Sequence, residues 1–103
     1  MIIPQFTPGR PSHAAAAPWE GINAVDAAVA CYNNVSMLRQ QMKPTCRFHG
    51  IFEEGGDRPN IIPKRAALLF YIRATDDKDC LELRERVEKC ARGAAMATGK
   101  NLF

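Results

Sequence analysis

With 103 residues, 47% of them hydrophobic and 24% charged, the chain reads as one small globular domain with no room for two. Fourteen Lys and Arg against eleven Asp and Glu give a net charge of +3, interspersed without a basic stripe, so a nucleic-acid footprint is not expected. No apolar run reaches the roughly 18 residues of a membrane span, Pro4, Pro8 and Pro11 stand where a signal peptide would need an apolar helix, and the four cysteines (31, 46, 80 and 90) lack zinc-site spacing and read as small buried hydrophobes; the expectation is a reduced, cytoplasmic protein with no membrane contact.

Residues 1–6 hold enough β-favouring side chains for a short strand, which Pro4 confines to an edge or an irregular pairing. Residues 7–21, with Pro8-Gly9 as a turn signal, read as a loop that exposes His13. Asn23 is an N-cap, and Val25, Ala28, Val29, Tyr32, Val35, Leu38 and Met42 follow at helical spacing, predicting a helix that ends before Pro44. Cys46 to Glu53 alternates around Phe48 and Phe52 and runs into Gly55-Gly56, the pattern of a strand entering a turn. Residues 57–63 form a second loop in which Pro59 and Pro63 bracket Asn60 and are expected to hold it extended. Residues 66–74 are apolar on both faces, as in an interior strand, and Arg73 near the end is conspicuous. A second helix begins near Asp76 or Asp77, lays Cys80, Leu83, Val87, Cys90 and Ala94 on one face and Glu82, Arg86 and Lys89 on the other, and stops at Gly99. Asn101, Leu102 and Phe103 look like the start of a further strand. The order is that of an α+β, ferredoxin-like split βαβ domain: an antiparallel sheet with two helices on one face, its last strand truncated.

The chemistry-bearing residues are few. His13 and His49 have no metal-ligand spacing, the adjacent carboxylates Asp76-Asp77 and Glu53-Glu54 read as solvated charge, and Gly55-Gly56 lacks the lysine of a phosphate loop. Three polar residues remain: His13 in its Gly/Pro loop, Asn60 between prolines, and Arg73 closing an apolar strand. Singly, each reads as an exposed loop histidine, a local turn bond or a snorkelling arginine. Together they supply an oxyanion donor, a neutral amide and a carboxylate fork, the inventory of an anionic-substrate site.

Three motifs then carry a resemblance. Gly9-Arg10-Pro11-Ser12-His13-Ala14-Ala15 resembles G-K-x-S-H-A, Pro18-Trp19-Glu20-Gly21-Ile22-Asn23-Ala24 resembles P-W-x-G-x-N-A, and Gly55-Gly56-Asp57-Arg58-Pro59-Asn60-Ile61-Ile62-Pro63 resembles G-G-x-x-x-N-x-I-P. All three are motifs of the dimerisation, or lid, domain of the zinc-dependent metallopeptidases that include aminoacylase, carnosinase and the glutamate carboxypeptidases. His-Ala-Ala-Ala with Pro-Trp-Glu-Gly, and the later Leu38-Arg39-Gln40-Gln41-Met42-Lys43-Pro44, look most like the branch acting on β-alanyl-lysine and Xaa-Arg dipeptides. The resemblance implies a ferredoxin-like lid in which His13 steadies an oxyanion in a partner subunit's active site, Asn60 contacts substrate and Arg73 clamps a substrate carboxylate. It also implies a homodimer through the Cys46 to Glu53 edge strand and the first helix, a dipeptide or N-acyl amino acid substrate, and zinc bound by a catalytic domain outside residues 1–103. On that basis this chain, a single lid domain and a fragment of a two-domain enzyme, holds no cofactor and is inactive alone. The alternative is a free-standing ferredoxin-like interaction module without catalysis.

Overall fold

The computed structural model describes residues 4–6, 19 and 22–99. In chain order they form β1 (Gln5–Phe6), α1 (Ala24–Ser36), a 3₁₀ turn (Arg39–Gln41), β2 (Arg47–Glu54), β3 (Ala66–Arg73) and α2 (Asp77–Thr98). The three strands lie in the order β1-β3-β2, with both pairings antiparallel. That is the ferredoxin-like arrangement expected from the element order, with β3 interior and β2 at an edge of the described sheet. β1 is two residues long, and the Leu68 amide donates to the Pro4 carbonyl at 3.0 Å, so pairing starts at the proline without needing the donor it lacks. The expected last strand, at residues 101–103, lies outside the described residues.

Both helices cover one face of the sheet. The core joins Ala24, Ala27, Ala28, Cys31 and Val35 of α1, Phe48 of β2, Leu68 and Phe70 of β3, and Leu83, Val87, Ala91 and Ala94 of α2. Small side chains dominate the helix pair, which lets the two axes approach closely. Opposite Phe70 in the sheet stands Gly50, where a Cβ would run into the Phe70 ring; the glycine is the hole that the ring fills.

The helix termini follow local chemistry. The Asn23 side chain accepts from the amides of Val25 and Asp26, and Asp76 accepts from the Asp79 amide. Gly99, at φ 74°, closes α2 in the left-handed conformation.

Two expectations about α1 need correction. The helix ends at Ser36, well short of Pro44, because the following segment is drawn aside by tertiary bonds. Arg39 donates to the Phe48 carbonyl at 3.0 Å and lies over the Phe48 ring, while Lys43 reaches Asp79 at 3.0 Å and Arg86 donates to the Gln41 carbonyl at 3.2 Å. The buried stripe is also rotated towards Ala24, Ala27 and Cys31, leaving Val29 exposed. On α2, Asp79 is buried while Cys80 is only half-buried, and Arg86 is half-buried instead of fully solvated.

Candidate functional site

His13 lies outside the described residues. Asn60 sits in the connection between β2 and β3, and its backbone is a tight turn instead of the expected extended segment: the Ile61 amide donates to the Arg58 carbonyl at 3.2 Å. The reason is positional. A proline restricts the residue before it, which here means Arg58 and Ile62; Pro59 itself takes the second position of the turn and Asn60 the third. Asn60 is therefore held at an exposed turn tip.

The loop around it is anchored. Gly56 adopts φ 97°, and a Cβ there would stand 3.0 Å from Pro63 Cγ, so the glycine is needed both for its angle and for the close proline. The Pro63 carbonyl accepts from the Ala24 amide at 3.0 Å and ties the loop to the start of α1. Between them lies an open cavity of about 450 Å³, lined by Asn23, Val25 and the loop residues 55–59 and 61–63, with Asn60 outside the lining.

Arg73 ends β3 on the face that no described element covers. Strand alternation sends Phe48, Gly50 and Phe70 towards the helices and Arg47, His49, Ile51, Leu69, Tyr71 and Arg73 the other way. The register sets these in three rungs: Arg47 opposite Arg73, His49 opposite Tyr71, and Ile51 opposite Leu69. Arg47 Nη1 donates to the Pro44 and Cys46 carbonyls, at 2.5 and 2.7 Å. Among the described residues neither arginine has a carboxylate partner; the ion pairs are Lys43–Asp79, Arg65–Glu54 and three exposed pairs along α2. Beside them a shallow pocket of about 200 Å³ is lined by His49, Gly50, Ile51, Leu69 and Tyr71.

Asn60 and Arg73 are not brought together within the chain. One is in the hairpin connection at the start of β3 and the other at its far end, and eight strand residues span about 23 Å. Sequence reasoning does not single out Arg47, His49 and Tyr71. A signal exists, since Tyr71 shares a face with Arg73 two residues away, but the partners on β2 depend on a register that no motif declares.

Two of the perturbed titrating groups are helix cysteines on the covered side, and the third is the exposed Lys43. Burial first, and the neighbouring Cys90 second, push the Cys31 thiol up to about 12. Cys90 is raised by burial, against the opposing pull of Arg86. Lys43 is raised chiefly by its hydrogen bond to Asp79 and then by that carboxylate's charge. Among the described residues no three His, Cys, Asp or Glu side chains gather as a metal site would require, and no helix is long and apolar enough to cross a membrane.

Comparison with known proteins agrees with this architecture. A model of the peptidase dimerisation domain matches residues 6–98, and the chain belongs to that family. It is 57% identical over 91 residues to the Xaa-Arg dipeptidase of Mus musculus, covering 88% of this chain and 21% of that enzyme. It is 34% identical to one of the subunits of the p-aminobenzoyl-glutamate hydrolase of Escherichia coli, covering 87% of this chain and 19% of that one. The crystal structure of an aminobenzoyl-glutamate utilization protein from Klebsiella pneumoniae superposes with a TM-score of 0.83 at 24% identity, covering 98% of this chain and 25% of that one; at that identity it shows the fold alone. The motif likeness to the dipeptidase and amidohydrolase branch is thus matched over most of the sequence. The chain spans about a fifth of the length of the curated relatives it matches.

Proposed function

We propose that this chain is the dimerisation and lid domain of a zinc-dependent dipeptidase or amidohydrolase, lending His13, Asn60 and Arg73 to active sites whose metal ligands lie on another domain. The observation that carries this reading is the separation of Asn60 from Arg73. Across one chain they cannot touch one small substrate, but across a twofold pairing of β2 edges they can. Antiparallel pairing of β2 with its copy brings the hairpin connection of one protomer alongside the Arg47–Arg73 end of the other.

The edge is suited to that pairing. Arg39 bonds the Phe48 carbonyl, so Phe48 presents its backbone to the free side, and by the two-residue period so do Gly50 and Phe52. Arg39 already occupies the first of these, which favours a dyad near Ile51 with Gly50 opposite Phe52 of the copy. Apolar surface lies along the same edge: Phe52 is 43% exposed and stacked on Tyr32 at 6.0 Å, and Val29 stands one turn before Tyr32 on α1, 42% exposed. A second copy would cover both.

In the assembled site His13 of one protomer would donate a hydrogen bond to the developing oxyanion, Asn60 of that protomer would contact the substrate, and Arg73 of the other would hold its carboxylate. Sedimentation equilibrium over a concentration series tests the dimer. Phe52→Lys should yield a monomer that keeps the folded circular-dichroism spectrum and melts somewhat lower, because a charge on the edge opposes pairing and the stack on Tyr32 is lost. A wild-type chain that stays monomeric at high micromolar concentration overturns the interface. Within a complete homologous enzyme carrying this segment, His13→Ala should lower kcat by about 10²- to 10³-fold. Mixing it with a protomer dead in the catalytic domain should restore activity in the mixed dimer; no restoration would place the histidine's action within its own protomer.

A further inference from the structure

Two arginines directly opposite one another on a sheet face repel, and like charges in that position are destabilising. Arg47 and Arg73 hold this arrangement with no carboxylate partner among the described residues to offset it. A local rule broken without local compensation marks a position held for binding. Three further features define what would bind. Arg47 spends Nη1 on the Pro44 and Cys46 carbonyls, which fixes the guanidinium in position and leaves its remaining N–H donors available. Arg73 keeps all five of its donors with respect to the described residues. The next rung, His49 and Tyr71, is exposed and lines the shallow pocket together with Gly50, Ile51 and Leu69.

We propose that Arg47 and Arg73 together form a two-guanidinium seat for a substrate carboxylate, and that the His49–Tyr71 rung and the pocket beside it carry the aromatic or acyl body of the same molecule. This rests on the reading of Arg73 as a carboxylate clamp and adds Arg47 as a second binding residue and the bare sheet face as the shelf. The ligand class is an amino acid derivative with a free carboxylate at one end and an apolar acyl or aryl group one rung, about 7 Å, from it. A carboxylate between two guanidiniums also removes the repulsion between them, so occupancy and sheet stability should rise together.

The test uses the chain itself, isotopically labelled, titrated with N-benzoylglycine and, as the uncharged control, its amide. With N-benzoylglycine the side-chain Nε–H signals of Arg47 and Arg73 and the amides of His49 and Tyr71 should move along one isotherm. The amide control should bind roughly tenfold more weakly or worse, the loss of one charge-assisted hydrogen bond. Arg47→Lys and Arg73→Lys should each weaken the carboxylate by about tenfold and leave the amide unchanged, because a lysine keeps charge and loses the fork. Arg47→Met, which also releases the 44–46 turn, should weaken it further. If Arg73→Lys weakens binding and neither Arg47 variant does, the two-arginine seat is wrong while the single clamp stands. If no variant matters, or N-benzoylglycine shifts none of these signals, the seat and the clamp fall together. An Arg47 loss shared equally by carboxylate and amide would mean that the residue only shapes the turn, and would also overturn the seat.

Discussion

The two faces of the β2–β3 ladder are made by alternate residues of the same strands, yet they obey different rules. On the helix side, each residue is accounted for by volume: Phe70 fills the space opposite Gly50, and Phe48 and Leu68 close around it. On the bare side, neighbouring positions carry paired arginines, a histidine and a tyrosine that no packing argument requires. Alternation along one strand is enough to keep a stability problem and a recognition problem separate, so that either face can change with little effect on the other.

Substitutions on each face test that separation directly. Phe70→Ala removes a fully buried ring and should cost about 3–5 kcal/mol in urea unfolding, whereas Tyr71→Ala, one residue on and half-exposed, should cost far less. Gly50→Ala pushes a methyl into the Phe70 ring and should cost about 1–3 kcal/mol, with partial recovery in the Gly50→Ala/Phe70→Leu double variant.

Alkali should act through Cys31 and, at higher pH, Lys43. Cys31 is held protonated to about 12 in the folded state against 9.0 when exposed, so its contribution is fully present below pH 9 and fades as pH rises towards 12. Lys43, raised from 10.5, adds a loss in the same direction above that value. Melting temperatures should therefore begin to fall near pH 9, and the first part of the fall should flatten in Cys31→Ala. The smallest effect belongs to the bare face and has the opposite sign: Arg73→Glu turns a repulsive rung into an attractive one and should stabilise the fold by about 0.2–1 kcal/mol, read from the urea midpoint.

The element order, the interior position of β3 and the edge position of β2 are legible in the sequence because each follows from a local period and a local stop signal. Asn23, Asp76 and Gly99 mark their helix ends by side-chain or backbone chemistry that acts within a few residues. What is not legible depends on distant partners. The end of α1 is decided by bonds from Arg39, Lys43 and Arg86 to other elements, and its buried face by how closely two alanine-lined helices can approach, a choice that hydrophobicity alone does not make in favour of Ala27 over Val29. The turn at Asn60 departs from the extended expectation because Pro59 restricts the residue before it and leaves the residue after it free to turn. Arg73 is legible as an oddity at a strand end. Arg47 becomes visible only through the register that sets the two side by side.

The short segment between α1 and β2 also has a mechanical role. In five residues it is bonded to β2 through Arg39 and to α2 through Gln41 and Lys43, so that one end of the helix layer is clasped to both its neighbours. Sliding α1 along α2 would break the two bonds to α2 together, which removes shear between the helices as a cheap deformation. Helices and sheet should therefore move together as one body at this end of the domain.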